Sequence, residues 1–460
     1  MPEATLDFTP RPVPLVHTAY RRIQTMIPPP EALAVMASLE RTESRSMHGQ
    51  LPLVWDRAAG YQVADPYGNV WIDFTSSIFL ANVGHANPRV VAALRRELEK
   101  PLLHAYNYPT VIRAEYLEYL IANTPARYEK AFLLSAGTEA TECGLKLLRL
   151  AGRESGKRRP GVVCFEGNWH GRTMGAQMLS NNLAQKAWIG FEDPNIHHLP
   201  FPYPWLEGVA DDPAEFFRKS FESLLDRKGL DPDRDLCGVL FESYQGWGAW
   251  FYPQAFIDAV FDTAHRHGLL VCADEVQSGF GRTGELFAFM HYGREPDILC
   301  CGKGASSSLP LSLVLGPAAV MDLPEVGSMS STHSANPLAC AAGLASLQAL
   351  LEDGLLERGR RLGPAFHARL QTMAAKRPDR LRYVNGAGLL AGLILMDPDL
   401  APLSEDASRT CLEALQRGLL LVHTGRESIK MAPPLCIPED ALTEGLDVLE
   451  VCLDAQAAQP

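Results

Sequence analysis

The chain has 460 residues, 47% of them hydrophobic and 21% charged. That suits a large packed core, in roughly three domains or in one large α/β domain with a smaller companion. A net charge of −12 with no long basic run argues against nucleic acid or an anionic membrane surface as the main partner and for small substrates.

No window reaches the ~18–20 apolar residues of a membrane-crossing helix, and the N-terminal stretch has no continuous apolar run of the signal-peptide kind. The ten cysteines include no CxxC pair and no zinc-spaced cluster with histidine. Several lie inside apolar runs, as do Cys164, Cys272, Cys300 and Cys301, which fits buried free thiols in a reducing cytoplasm.

In chain order, residues 1–50 form a Pro-containing arm in which Glu31 to Arg45 reads as a helix. Residues 51–95 begin a small domain, where two alternating apolar runs flank the turn Asp65-Pro-Tyr-Gly-Asn69 as a β-hairpin. Over 96–345 short apolar runs alternate with helical patterns. The strands predicted are Ala131–Leu134, Gly161–Phe165, Leu236–Phe241, Leu269–Ala273, Ile298–Cys301 and Ser312–Leu315. The helices include Glu139–Leu150, Pro253–His267 and Pro337–Leu351. This rhythm predicts a mostly parallel sheet covered by helices, with ligands outside the carboxyl ends of its strands. Residues 346–460 mix helices with short strands (Gly388–Leu395, Leu419–His423) and complete the smaller α/β domain together with the N-terminal segment.

Chemistry gathers at the strand ends. Asp274 closes the run Leu269-Leu-Val-Cys-Ala273, and Lys303 stands between two glycines after Ile298–Cys301. An amine and a carboxylate at two such ends suit pyridoxal 5′-phosphate, with the lysine forming a Schiff base and the aspartate keeping the pyridine nitrogen protonated. Each alone has a plainer reading: a strand cap or metal ligand for Asp274, a surface loop for Lys303. The Gly-Lys-Gly stretch fails as a P-loop, because Asp297 replaces the first glycine and Gly304 the Ser/Thr. Leu134-Ser-Ala-Gly-Thr-Glu-Ala140 joins a strand to a helix, so Gly137 and Thr138 offer an anion site suited to a phosphate, or an ordinary helix cap. In Trp169-His170-Gly171-Arg172, the tryptophan can stack on a flat ring and the arginine can clamp a carboxylate, while core packing is the plainer reading of the Trp-His pair. Gly279-Phe-Gly-Arg-Thr-Gly284 matches GxGxxG, yet no helix pattern opens on it and no second βα unit supplies a ribose-binding acid.

Together these segments resemble the class III (ω-) aminotransferases, pyridoxal-phosphate enzymes of fold type I, from about Pro52 to Leu453. The most specific piece is Ala273-Asp-Glu-Val-Gln-Ser-Gly-Phe-Gly-Arg-Thr-Gly284, followed by Gly302-Lys303-Gly304. The resemblance implies that Lys303 is the Schiff-base lysine and proton carrier and that Asp274 pairs with the pyridine nitrogen. Val276 and Trp169 then sandwich the ring, with His170 beside them, and Gln277 contacts the ring hydroxyl. Gly137 and Thr138 hold the phosphate, which Thr332 reaches from the other subunit of a homodimer. Glu242, in Phe241-Glu-Ser-Tyr-Gln-Gly246, orients the site. It further implies ping-pong transfer of an amino group from an amine or amino acid to a keto acid.

Two positions depart from the family. Lys430 stands where an arginine often binds the substrate carboxylate, keeping the charge and losing the bidentate fork. Trp247 stands where many members carry the glutamate that pairs with that arginine. Arg172, Trp247 and Lys430 are the candidate substrate residues, and an aromatic or bulkier substrate is expected. An amino-acid racemase, epimerase or decarboxylase on the same scaffold is the alternative reaction, and a cofactor-fold scaffold without activity is the third reading.

Overall fold

The computed structural model describes residues 8–457; the first seven residues of the expected arm and the last three of the C-terminal region lie outside the described residues. The chain divides into two units, one made of its N-terminal part through Asn87 and of the part from Gly354 onward, the other of Pro88–Asp353.

The Pro88–Asp353 unit is built on seven strands: β1 (Lys130–Leu134), β2 (Gly161–Phe165), β3 (Ile196–Leu199), β4 (Leu236–Glu242), β5 (Leu270–Glu275), β6 (Ile298–Cys301) and β7 (Ser312–Gly316). Their order is β1-β7-β6-β5-β4-β2-β3. β3, β2, β4, β5 and β6 run parallel, and β7 alone runs antiparallel, between β6 and β1. β2, β4 and β7 are buried along their whole length, as expected of strands covered on both faces. Cys164, Cys237, Cys272 and Cys300 pack with Leu134, Leu147, Leu148 and Val314 in one core on the side of the helix Gly137–Glu154.

The predicted strands appear within a residue or two of their ends. β3 is absent from the sequence reading. Its two middle residues are His197 and His198, and two imidazoles interrupt the apolar signal that marks a buried strand. Burial lowers the His198 pKa to about 4, so that ring stays neutral inside the fold at ordinary pH.

In the other unit the expected hairpin forms between Gln62–Ala64 and Val70–Asp73 in antiparallel register. Asp65 Oδ1 accepts from the backbone N–H groups of Tyr67 (3.0 Å) and Asn69 (2.8 Å), which explains the acid at the start of the turn. Trp71, fully buried, donates its Nε1–H to Leu415 O at 2.7 Å and packs with Ile23, Val63 and Leu420. A four-stranded antiparallel sheet contains Leu381–Ala387, Leu390–Leu395, Ser428–Met431 and Val422–His423. Among the described residues no single helix is long and apolar enough to cross a membrane.

Candidate active site

The polar loops leave the carboxyl ends of β1, β2, β4, β5 and β6 on one edge of the large sheet. Asp274, next to last in β5, is buried. One carboxylate oxygen accepts the Val276 N–H at 2.9 Å, and the other lies 2.8 Å from His170 Nδ1. To meet an ionised carboxylate, Nδ1 must carry the proton. The His170 ring is thereby held in place and its buried Nε2 is left with no hydrogen-bond partner. The backbone N–H of His170 is tied to Ser180 Oγ at 2.8 Å, which fixes the imidazole from behind.

Lys303 begins the turn after β6 with φ of +41°, a left-handed conformation that costs a side chain about 1–3 kcal/mol and collects at functional positions. Burial holds its ammonium below the usual lysine range, against the opposing pull of Asp274 and Glu242. Glu242, at the end of β4, accepts the Trp169 N–H at 2.9 Å on one oxygen and the Gly246 N–H at 3.2 Å on the other. One carboxylate therefore pins the loop after β2 to the loop after β4.

Val276 packs against both Gly-rich turns. A Cβ added to Gly137 would lie 2.6 Å from Val276 Cγ1, and one on Gly302 would lie 3.2 Å from the same atom. Glycine at 137 is thus required for the close approach of the phosphate-type turn to the β5 loop. The 18-residue helix that starts at Gly137 directs its N-terminal N–H groups at that turn. Thr138 Oγ1 lies 2.6 Å from Thr173 Oγ1, which donates to Glu142 at 2.6 Å. Gln277 Oε1 is 3.3 Å from the Tyr244 hydroxyl. Arg172, exposed, places its guanidinium 4.8 Å from the Trp169 ring centre.

These contacts bring together Gly137, Thr138, Trp169, His170, Arg172, Glu242, Asp274, Val276 and Gln277, with Lys303 under the electrostatic influence of Asp274 and Glu242. Thr332 is exposed. Trp247, partly buried, is tied to the Gln245 side chain and to Tyr203. Lys430 belongs to the other unit, where it is buried with Nζ 4.6 Å from the Phe79 ring centre. Phe79 ends the turn Ser76–Phe79, four consecutive non-glycine residues with φ between 47° and 67°.

Three residues with a part in this edge were not legible beforehand. Glu275, fully buried, accepts from the Ser243 and Ser278 hydroxyls and from the N–H groups of Ala288 (3.0 Å) and Phe289 (2.8 Å). Glu139 accepts the N–H groups of Ser135 and Ala136, both at 2.9 Å. Its spacing from Ala136 is that of the glutamate in a capping box, a signal that was available. Gln245 is the third; it lies in the Phe241–Gly246 motif, which gave no role for its side chain.

The donor set fits a phosphorylated pyridine aldehyde. A buried carboxylate held by a histidine, an amine with a lowered pKa and a helix N-terminus that opens on Gly137 suit its ring nitrogen, its aldehyde carbon and its phosphate in turn. With the fold, this set defines a pyridoxal-phosphate enzyme of fold type I. Residues 44–453 match the class-III aminotransferase family model. The chain is 32% identical over 446 residues to the 4-aminobutyrate aminotransferase of Mycobacterium leprae, covering 93% of this chain and 97% of that protein. It is 33% identical over 424 residues to the mitochondrial ornithine aminotransferase of Oryza sativa subsp. japonica, covering 90% and 84%. Among solved structures, the acetylornithine aminotransferase of Elizabethkingia anophelis superimposes with a TM-score of 0.76 at 27% identity, covering 92% and 99%.

This chain belongs to the class III aminotransferases. It is a pyridoxal-phosphate-dependent transferase acting on an amine or amino acid and a keto acid. The comparisons give no support to the racemase, epimerase or decarboxylase alternative.

Proposed function

We propose that Lys303 is the covalent attachment point of the cofactor and the base that moves the substrate proton, in a ping-pong transfer of an amino group to a keto acid. The observation that carries this reading is the paired setting of Lys303 and Asp274 on neighbouring strands: an amine whose pKa burial lowers, beside a carboxylate oriented by His170. When bound, pyridoxal 5′-phosphate supplies an electron sink for the carbon that bears the amino group. Asp274 keeps a positive charge on the ring nitrogen favourable, and His170 holds its carboxylate in line. Trp169 and Val276 would hold the ring, Gln277 would meet its hydroxyl, and Gly137 with Thr138 would take the phosphate. Lys303, whose ammonium burial disfavours, would be the group that takes the proton from the substrate carbon.

Within this reading Thr332 serves the phosphate of a partner's site in a homodimer, a role its exposure permits. Arg172 and Trp247 meet the substrate, and Lys430 keeps a positive charge where relatives carry arginine. The named relatives act on 4-aminobutyrate and ornithine. Trp247 instead favours an aromatic or bulky donor. A cytoplasmic location accords with buried cysteine thiols, of which burial raises Cys237, Cys340 and Cys411 to a pKa of about 12.

The test is the Lys303→Ala variant of the cofactor-loaded enzyme. Loss of the absorbance that lysine attachment gives the cofactor, together with a fall in turnover of about 10²–10⁴-fold or more, is expected. Retention of both removes Lys303 from the chemistry.

A further inference from the structure

The loop after β4 carries a second arrangement that the cofactor does not explain. Gln245, fully buried, uses its whole hydrogen-bonding capacity. Its Nε2 donates to Glu166 O at 2.7 Å and to Asn168 Oδ1 at 3.2 Å. Its Oε1 accepts from Trp247 Nε1 at 2.5 Å and from the Tyr203 hydroxyl. Both donors belong to the NH₂ end and both acceptors to the oxygen, so the amide is locked in one orientation. Trp247 Nε1 also lies 3.0 Å from the Tyr203 oxygen, closing a triangle of Gln245, Tyr203 and Trp247.

Tyr203 comes from the segment after β3 and lies against the loop that carries Trp169, where a Cβ on Gly167 would be 2.8 Å from its hydroxyl oxygen. It stacks on Trp205 at 4.7 Å with planes 5° apart and meets Trp250 edge-on at 5.8 Å. Trp205 in turn meets Trp250 edge-on at 5.4 Å. The result is a wall of four aromatic rings in which Trp247 and Tyr203 keep part of their surface accessible. Gly246, which precedes Trp247, is tied to Glu242, and a Cβ there would lie 3.1 Å from Gln277 Oε1. The wall therefore borders the cofactor residues, and Gln245 links it to the loop that carries Trp169.

We propose that Tyr203 is a positioning residue for Trp247 and that the pair sets donor specificity, building an aromatic recess that takes arylalkyl amines in preference to short aliphatic ones. The inference rests on the site reading above and adds the donor class and the residue that imposes it. Tyr203 acts through the Trp247 indole: its hydroxyl and Gln245 together fix the ring plane, which a donor's aromatic ring would face.

The experiment uses cofactor-loaded wild type, Tyr203→Phe, Trp247→Ala and the double variant, with benzylamine and propylamine as probes. Binding is followed by titration calorimetry and turnover by kcat and KM. Tyr203→Phe keeps the ring stack and removes only the hydroxyl, so a rise in benzylamine Kd and KM of roughly 3–10-fold is expected. Its kcat and its propylamine constants should stay at wild-type values. Adding Tyr203→Phe to Trp247→Ala should change nothing further, the mark of residues acting as one unit. Equal losses for both amines, or additive losses in the double variant, overturn the proposal. Should Trp247→Ala fail to fold, Trp247→Phe replaces it in the cycle. An enzyme that binds benzylamine selectively but transfers no amino group defeats the reaction reading and leaves the recess standing.

Discussion

Two loops leave adjacent strands of one sheet and are held in different proportions by charge and by neutral contacts. The loop after β5 is drawn around a single buried carboxylate: Glu275 takes two hydroxyls and two backbone N–H groups from four different residues. Burial still pushes its carboxyl pKa upward against those four donors. The loop after β4 meets the same carboxylate once, through the Ser243 hydroxyl, and Glu242 once, through the Gly246 N–H, and is otherwise held by a neutral amide, a backbone pair between Gln245 and Trp250, and tilted ring contacts. Charge-assisted bonds to one centre have a narrow geometry, whereas rings slide on one another at little cost. The proposed cofactor chemistry, which needs exact placement, sits where the first loop begins, at Asp274 near the end of β5. The second loop carries Trp247, the proposed specificity residue.

The contrast can be broken in three further ways. Glu275→Ala strands four donors, two of them backbone, and is expected to cost about 3 kcal/mol of stability, read as the unfolding midpoint in urea. A loss no larger than that of Gln245→Ala erases the distinction between the loops. Next in size, Gly137→Ala drives a Cβ to 2.6 Å from Val276 Cγ1. A cofactor affinity loss of about 1–3 kcal/mol is expected, largely restored by adding Val276→Ala. Absence of rescue places the strain elsewhere.

The smallest effect is one of pH. Lys303 has a folded-state pKa below its unfolded value, so the unfolded chain binds the extra proton between those two values. The contribution of Lys303 to cofactor-free stability is therefore complete above the ordinary lysine pKa and is lost as pH falls through the lowered one. Relative to Lys303→Met, the cofactor-free wild type should gain stability as pH rises from 7 toward 10. A constant difference between the two excludes a lowered pKa at Lys303.

The strands of the large sheet were readable because a buried parallel strand is a short apolar run wherever it sits, and β3 escaped only because His197 and His198 interrupt one. The hairpin at Asp65 was readable because its turn is closed by its own side chain. Asp274, Lys303, Gly137 and Trp169 could be named as candidates because each stands at the end of such a run. The same reading placed Asp274 beside a ring nitrogen and gave no sign that His170 would hold it, since the two are 104 positions apart.

Local order along the chain thus determined which residues stand at strand ends and pointed to the cofactor, while the reaction class came with the family resemblance. Tertiary structure alone decided which of those ends meet: His170 on Asp274, Glu242 between two loops, Glu275 among its four donors, Tyr203 on Trp247. The physical reason is that strand formation follows a period of a few residues, while a hydrogen bond between distant loops depends on the order in which the strands assemble, and no short window of sequence records that order.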